Sequence, residues 1–146
     1  MPGRPPRILC LDDQPEHLLI RKALLEQFGC EVVTVHEAHQ CLHTATHGQF
    51  DLALLDYHLG GDVTGEDVAR DLRVCVPDLR LVMLTGDPHI PKSAKESVDA
   101  VLIKGSSSPD DLFWTLETLL PDCKIKPRRP MMQFDSPPQD PPPVIS

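Results

Sequence analysis

Three carboxylates, a hydroxyl and a lysine in this chain stand where they could act together on a phosphoryl group. Asp12 and Asp13 follow the aliphatic run RILCL at 7–11, and Asp56 follows DLALL at 51–55. Thr85 follows LRLVML at 79–84, and Lys104 follows AVLI at 100–103. Carboxylates that converge raise each other's pKa, so three of them need a counter-cation to stay ionised together. Mg²⁺ suits the task, because it takes a few carboxylates, keeps waters and accepts a phosphoryl oxygen. With the metal and Lys104 neutralising the equatorial oxygens, Asp56 is placed to attack phosphorus and form an acyl phosphate, and Thr85 offers a hydroxyl beside it. No Ser or Cys stands in a nucleophile-elbow pattern, which argues against acyl transfer.

Such a convergence requires a fold that delivers strand ends to one rim. Five short aliphatic runs recur along the chain, the four above and EVVTV at 31–35. They are continuous rather than alternating, as strands covered on both faces are. Between them, Ile20, Ala23, Leu24 and Phe28, then Val68, Leu72 and Val76, and later Leu112, Leu116, Leu119 and Leu120 repeat at helical spacing. A polar, weakly patterned helix is expected over 90–98. Ser108-Pro109-Asp110-Asp111 reads as a capped helix start and Phe28-Gly29 as a helix stop. Five strand-helix repeats predict an α/β fold, a five-stranded doubly wound parallel sheet whose ligands sit at the carboxyl ends of the strands.

The chain has 146 residues, enough for one domain, expected over 1–120. Residues 121–146 hold eight of the 16 prolines and read as an extended, solvated tail without an independent fold, so the chain is expected to carry no second folded domain. Aromatics are 4% of the chain, so the core must be aliphatic. A net charge of −8 disfavours direct contact with nucleic acid or anionic lipid. No apolar run approaches the ~18 residues of a membrane span, and the start MPGRPPR is no signal peptide, so a cytoplasmic protein is expected. Five cysteines without a CxxC pair predict reduced, buried thiols.

The pieces ILCLDD, DLALLDYHL, LVMLTGD and VLIKG, in this order and at these intervals, resemble the receiver domain of two-component response regulators over about Arg7 to Leu120. The resemblance implies a flavodoxin-like (βα)5 receiver fold. It makes Asp56 the phosphoacceptor, and Asp12 and Asp13 the acids that hold Mg²⁺ with it. It gives the backbone carbonyl of His58 a place in the metal shell, Thr85 the hydroxyl that follows the phosphoryl group, and Lys104 the lysine that pairs with it. It implies a phosphohistidine donor, on a sensor histidine kinase or a histidine phosphotransfer protein, and a downstream protein target that the residues do not name. The only chemistry implied is self-catalysed phosphoryl transfer and slow hydrolysis of the acyl phosphate. Phosphorylation would bias two arrangements of the fourth helix, fifth strand and fifth helix. Many members pair through that face, which leaves a phosphorylation-dependent homodimer open.

Three positions depart from the family pattern. Val101 stands where an aromatic is common, so output is expected to use a backbone shift of the fourth-helix face. Gly105 replaces the usual proline after the lysine, and Gly60 and Gly61 occupy a loop where proline is frequent. Val101 and Gly105 motivate an alternative, a constitutive receiver-like interaction module whose switch is degenerate. A phosphatase or flavin carrier on a similar sheet fits poorly, since the first-strand acids are adjacent rather than DxD and the following loop is acidic.

Other residues have plainer readings. Asp13 could cap the helix that opens at Pro15. His39, His43 and His47, with His36 before them, line one helix face at metal-compatible spacing, yet without a completing acid or cysteine a solvated polar face is favoured. Tyr57 could tune access to Asp56 or pack against the rim, and Trp114 reads as partner-facing or as partly buried packing.

Overall fold

Strands with aliphatic side chains on both faces need cover on both faces, and the chain supplies it by alternating strand with helix. A computed structural model describes residues 3–105 and 108–126. The elements are β1 (Arg7–Leu11), α1 (Pro15–Gln27), β2 (Glu31–Val35), α2 (Ala38–His47), β3 (Leu52–Asp56), α3 (Gly65–Cys75), β4 (Arg80–Thr85), α4 (Lys92–Glu96), β5 (Ala100–Ile103) and α5 (Pro109–Leu119). The strands form one parallel sheet in the order β2-β1-β3-β4-β5. The expected doubly wound α/β fold is what forms.

Alternation along each strand divides the core in two. Leu9, Leu11, Ala53, Leu55, Leu81 and Met83 pack with Cys41, Ala45, Val68 and Leu72 of α2 and α3. Ile8, Cys10, Leu52, Leu54, Val82 and Leu84 pack on the other face with Leu18, Leu25, Leu112 and Leu116 of α1 and α5. A register slip of one residue would exchange the two sets, so the pairing is firmly specified.

That register sets the rim. Leu11 pairs with Leu55, Asp56 with Leu84, and Thr85 with Ile103, so Asp12, Asp56, Thr85 and Lys104 leave the sheet at one edge. Chain order reverses between β1 and β3, the place where a doubly wound sheet opens a crevice.

Several local expectations are corrected. In α1 the buried face is Leu18 and Leu25, with Phe28 beyond it, whereas Ile20 is 70% exposed and Ala23 faces water. The segment HLLIRKALLEQF has apolar residues around most of its circumference, so spacing alone permitted two stripes. β3 and β4 end at Asp56 and Thr85, as expected, and begin at Leu52 and Arg80, one residue later than the aliphatic runs. α4 spans Lys92–Glu96 instead of 90–98. Pro91 sets its start, and the Ser97 hydroxyl donates back to the Ala94 carbonyl at its end. Of the cysteines, all free, Cys10, Cys30 and Cys41 are buried, and burial pushes each of these thiols up to about 12. Cys75 is exposed and Cys123 half-buried.

The chain beyond α5 does not leave the body at once. The Lys124 N–H donates to the Arg4 carbonyl and the Lys126 N–H to the Phe28 carbonyl, while Cys123 and Ile125 pack against the α1/α5 side of the core. The rest of the expected tail, 127–146, lies outside the described residues.

Asp51 latches the opposite end of the sheet. Its carboxylate accepts from both terminal nitrogens of the Arg4 guanidinium and from the Arg7 N–H, the last at 2.7 Å. Burial pushes this carboxyl up, but the Arg4 and Arg7 hydrogen bonds outweigh it and hold the group below the ordinary carboxylate range. A carboxyl with a depressed folded pKa stabilises the fold above its unfolded value, and that contribution fades as pH falls through the folded one. Asp51→Asn should therefore lower the melting temperature at neutral pH and match wild type in strong acid. The amide oxygen can still accept the Arg7 N–H and Arg4 is largely in water, so the loss is that of the carboxylate's charge on these bonds, at about 1 kcal/mol. Melts from pH 7 down to pH 2 check it.

Candidate functional site

Asp12 follows β1 directly, and its N–H still donates to the Val35 carbonyl, which prolongs the ladder by one bond. Its side chain is 0% exposed. Oδ1 accepts the Gln14 N–H at 2.9 Å, which shapes the turn into α1. Asp13 is exposed and does not cap that helix: Gln14 is the N-cap, and α1 has no side-chain capping bond. Asp13 points instead toward Gly60, where an added Cβ would lie 3.3 Å from Oδ2.

Asp56 is held on both sides by backbone. It ends β3 at 3% exposure, and the following Tyr57 donates its N–H to the Leu84 carbonyl at 2.8 Å. The Tyr57 carbonyl accepts the Gly65 N–H at 2.8 Å, so the start of α3 is seated on the segment just past Asp56. Thr64 and Asp67 close a capping box that fixes that start. Gly65 is buried there for want of space: a Cβ would come within 2.5 Å of the Asp56 carbonyl oxygen and 2.7 Å of Met83 Sδ.

Lys104 ties the acids together. Its Nζ is 2.9 Å from Asp56 Oδ1 and 3.2 Å from Asp12 Oδ2, and its own N–H donates to the Thr85 carbonyl at 2.7 Å. Asp12, Asp13 and Asp56 each present a carboxylate oxygen within 4.8 Å of the others. Burial pushes the Asp56 carboxyl up, and the charge of Asp12 adds to the shift against the pull of Lys104. Burial acts on Asp12 in the same direction, but the Gln14 N–H, Arg21 and Lys104 overcome it and hold that carboxyl low. The donors are all hard carboxylate oxygens in close array, the set that a small divalent cation such as Mg²⁺ accepts.

The remaining expected residues fall as follows. Thr85 is fully buried, and its hydroxyl accepts the Asp87 N–H and donates to the Asp87 carbonyl, so it is bonded within its own turn. His58 is exposed in the loop after Asp56, its ring edge-to-face with Tyr57 at 4.9 Å and its backbone bridged to Thr64. His39, His43 and His47 are exposed on α2, and the rings of His43 and His47 stack at 4.1 Å as a polar outer face. Trp114 is 62% exposed on α5. Two residues not expected at the site come from α1: Arg21 Nη1 lies 3.1 Å and His17 Nδ1 3.4 Å from Asp12 Oδ2. Arg21 sits three residues after Leu18 and four before Leu25, and a charge inside a buried stripe is the sequence signal that a carboxylate waits opposite.

Residues 8–113 match the family model described as the response regulator receiver domain. The chain belongs to that family. Receiver domains are the phosphorelay units of two-component signalling and carry no dedicated catalytic function. This receiver domain is 41% identical over 59 residues to the sensor protein GacS of Pseudomonas syringae, covering 40% of this chain and 6% of GacS. It is 36% identical over 110 residues to the alginate biosynthesis transcriptional regulatory protein AlgB of Pseudomonas aeruginosa, covering 73% of this chain and 24% of AlgB. It thus spans a small part of the relatives it matches. Among solved structures it resembles the Thermotoga maritima response regulator TrrA in complex with Mg²⁺-BeF, with a TM-score of 0.73 and 28% identity over 79% of this chain and 99% of that one. TrrA in complex with the histidine kinase ThkA matches with a TM-score of 0.71 and 26% identity, over 79% of this chain and 98% of that one. No helix among the described residues of the receiver domain is long and apolar enough to cross a membrane.

Proposed function

We propose that this receiver domain takes a phosphoryl group from a phosphohistidine onto Asp56 and signals through altered protein contacts. The observation that carries the reading is Lys104 Nζ lodged between Asp12 and Asp56 at 3.2 and 2.9 Å, beside three carboxylates that approach within 4.8 Å. An Asp56 carboxylate oxygen forms the new O–P bond as the N–P bond of the donor breaks, and the departing imidazole takes up a proton. Lys104 favours the ionised form of Asp56 against burial and the charge of Asp12, and stays within reach of the phosphoryl oxygens. Thr85 leaves its turn with Asp87 to donate its hydroxyl to the same group. Asp12, Asp13, Asp56 and the His58 carbonyl would hold Mg²⁺, which when bound supplies positive charge against the phosphoryl oxygens.

The donor is a sensor histidine kinase or a histidine phosphotransfer protein, a reading supported by the relative TrrA in complex with a histidine kinase. Free cysteines suit a reducing compartment, so we place the exchange in the cytoplasm. The test uses acetyl phosphate with Mg²⁺ and intact-mass analysis. The chain should gain one phosphoryl group, and chelation of the metal beforehand should prevent it. A folded protein that gains none under both conditions refutes the reading.

A second reading, a constitutive interaction module, is favoured by one observation: Val101 is half-buried against the α2/α3 side of the core and offers no ring to swing. Under it, partner affinity is the same for wild type and Asp56→Ala, with or without phosphodonor. A difference measured by calorimetry would remove it.

A further inference from the structure

Asp12 is fully buried, and both of its oxygens are engaged by the protein itself. Oδ1 accepts the Gln14 N–H at 2.9 Å. Oδ2 accepts from Lys104 Nζ at 3.2 Å and from Arg21 Nη1 at 3.1 Å. His17 Nδ1 stands 3.4 Å from the same oxygen without making a hydrogen bond. Arg21 is only 13% exposed, because α1 carries it on the face that buries Leu18 and Leu25.

Formal charge makes the consequence plain. Asp12 and Asp56 bring −2, and Arg21 and Lys104 bring +2, so the buried pair is balanced by the protein's own cations, with Asp13 adding −1 from the solvent side. Lys104 touches both acids, whereas Arg21 touches Asp12 only. A divalent cation that draws on Asp12 has to displace the guanidinium from Oδ2 or sit close to its positive charge. At separations of a few ångströms in a buried site such repulsion is substantial.

We propose that Arg21 is a built-in counter-ion that competes with the divalent cation for Asp12. It weakens Mg²⁺ binding and offsets the buried charge of Asp12 when Mg²⁺ is absent. The inference rests on the reading of Asp12 as a metal-holding acid, and it adds a positioning residue from α1 to a site otherwise built from strand ends. A guanidinium suits this part because its planar fork grips a carboxylate and it is more weakly hydrated than an ammonium.

The test is calorimetric titration of Mg²⁺ into wild type, Arg21→Gln and Arg21→Lys at fixed ionic strength, with thermal melts run with and without Mg²⁺. Arg21→Gln should bind Mg²⁺ about tenfold more tightly, and Arg21→Lys should stay within about threefold of wild type. Without Mg²⁺, Arg21→Gln should melt lower than wild type, and Mg²⁺ should raise its melting point by more. A purely structural arginine would lower both melts equally and leave Mg²⁺ affinity unmoved, which overturns the proposal. If Arg21→Gln does not fold, the wild-type Arg21 Nε resonance is followed by ¹⁵N NMR during the Mg²⁺ titration: a saturating shift supports competition, and a fixed resonance overturns it. Wild-type affinity retained in Arg21→Gln sinks this inference alone. No response to Mg²⁺ in any of the three proteins sinks it together with the reading of Asp12.

Discussion

Asp56→Asn is expected to fold as wild type does and to take up no phosphoryl group from acetyl phosphate. The amide keeps the shape of the side chain and loses the nucleophilic oxygen, and removal of a nucleophile lowers a rate by on the order of a thousandfold or more. The fold should tolerate the change well. Burial and the charge of Asp12 push the Asp56 carboxyl up, so its ionised form costs stability in the native state. A carboxyl with a raised folded pKa carries no such cost below its unfolded value, and the cost grows as pH rises from there through the folded one. Asp56→Asn and wild type should melt alike in acid, and the variant should melt at an equal or higher temperature at neutral pH. Mass analysis and melts on the same samples check both halves. Phosphoryl uptake by a folded Asp56→Asn would move the acceptor elsewhere.

Gly65→Val should carry a large stability loss although it adds only apolar atoms. The space a side chain would need is taken by backbone, with the Asp56 carbonyl oxygen 2.5 Å and Tyr57 Cα 3.0 Å from an added Cβ. Neither atom is the end of a flexible side chain, so α3 or the end of β3 has to move. Overpacking of this kind costs about 3 kcal/mol, or roughly 10 °C of melting temperature for a domain of this size. Because the displaced atoms belong to Asp56 and its neighbour, phosphoryl uptake should also slow in the fraction that remains folded. Gly65→Ala should do the same to a smaller extent. A Gly65→Val protein that melts within about 2 °C of wild type would show that α3 does not press on the acceptor strand.

The sheet was legible because its strands are short, aliphatic and separated by helix-period segments, and because each chemistry-bearing residue ends a run. Asp12, Asp56 and Lys104 come together for that reason, and pairing such as Asp56 with Leu84 follows from the register. What the sequence hid was mostly rotation and reach. In α1 leucines and isoleucine ring the helix, and only packing against β1 and β2 selects Leu18 and Leu25 over Ile20 and Ala23. Arg21 reaches Asp12 as a result of that same rotation, so it could not be placed until the face was known. Gly65 carries no periodic signal, since its part depends on how close α3 comes to Tyr57. The attachment of 121–126 depends on Arg4 and Phe28, partners far away in the chain that proline content alone does not suggest. Thr85 ends its strand as expected, but its engagement with Asp87 is a turn geometry that the dipeptide Thr-Gly leaves undetermined.

The central claim is that one particular carboxylate captures phosphorus, and chemical trapping tests it most directly. Borohydride reduces an aspartyl phosphate to homoserine, which stays in place through digestion and is located by peptide sequencing in a mass spectrometer. After treatment with acetyl phosphate and Mg²⁺, homoserine should appear at position 56 and at no other aspartate. Homoserine at position 12 or 13, or a phosphorylated chain that yields none at 56, would contradict the account.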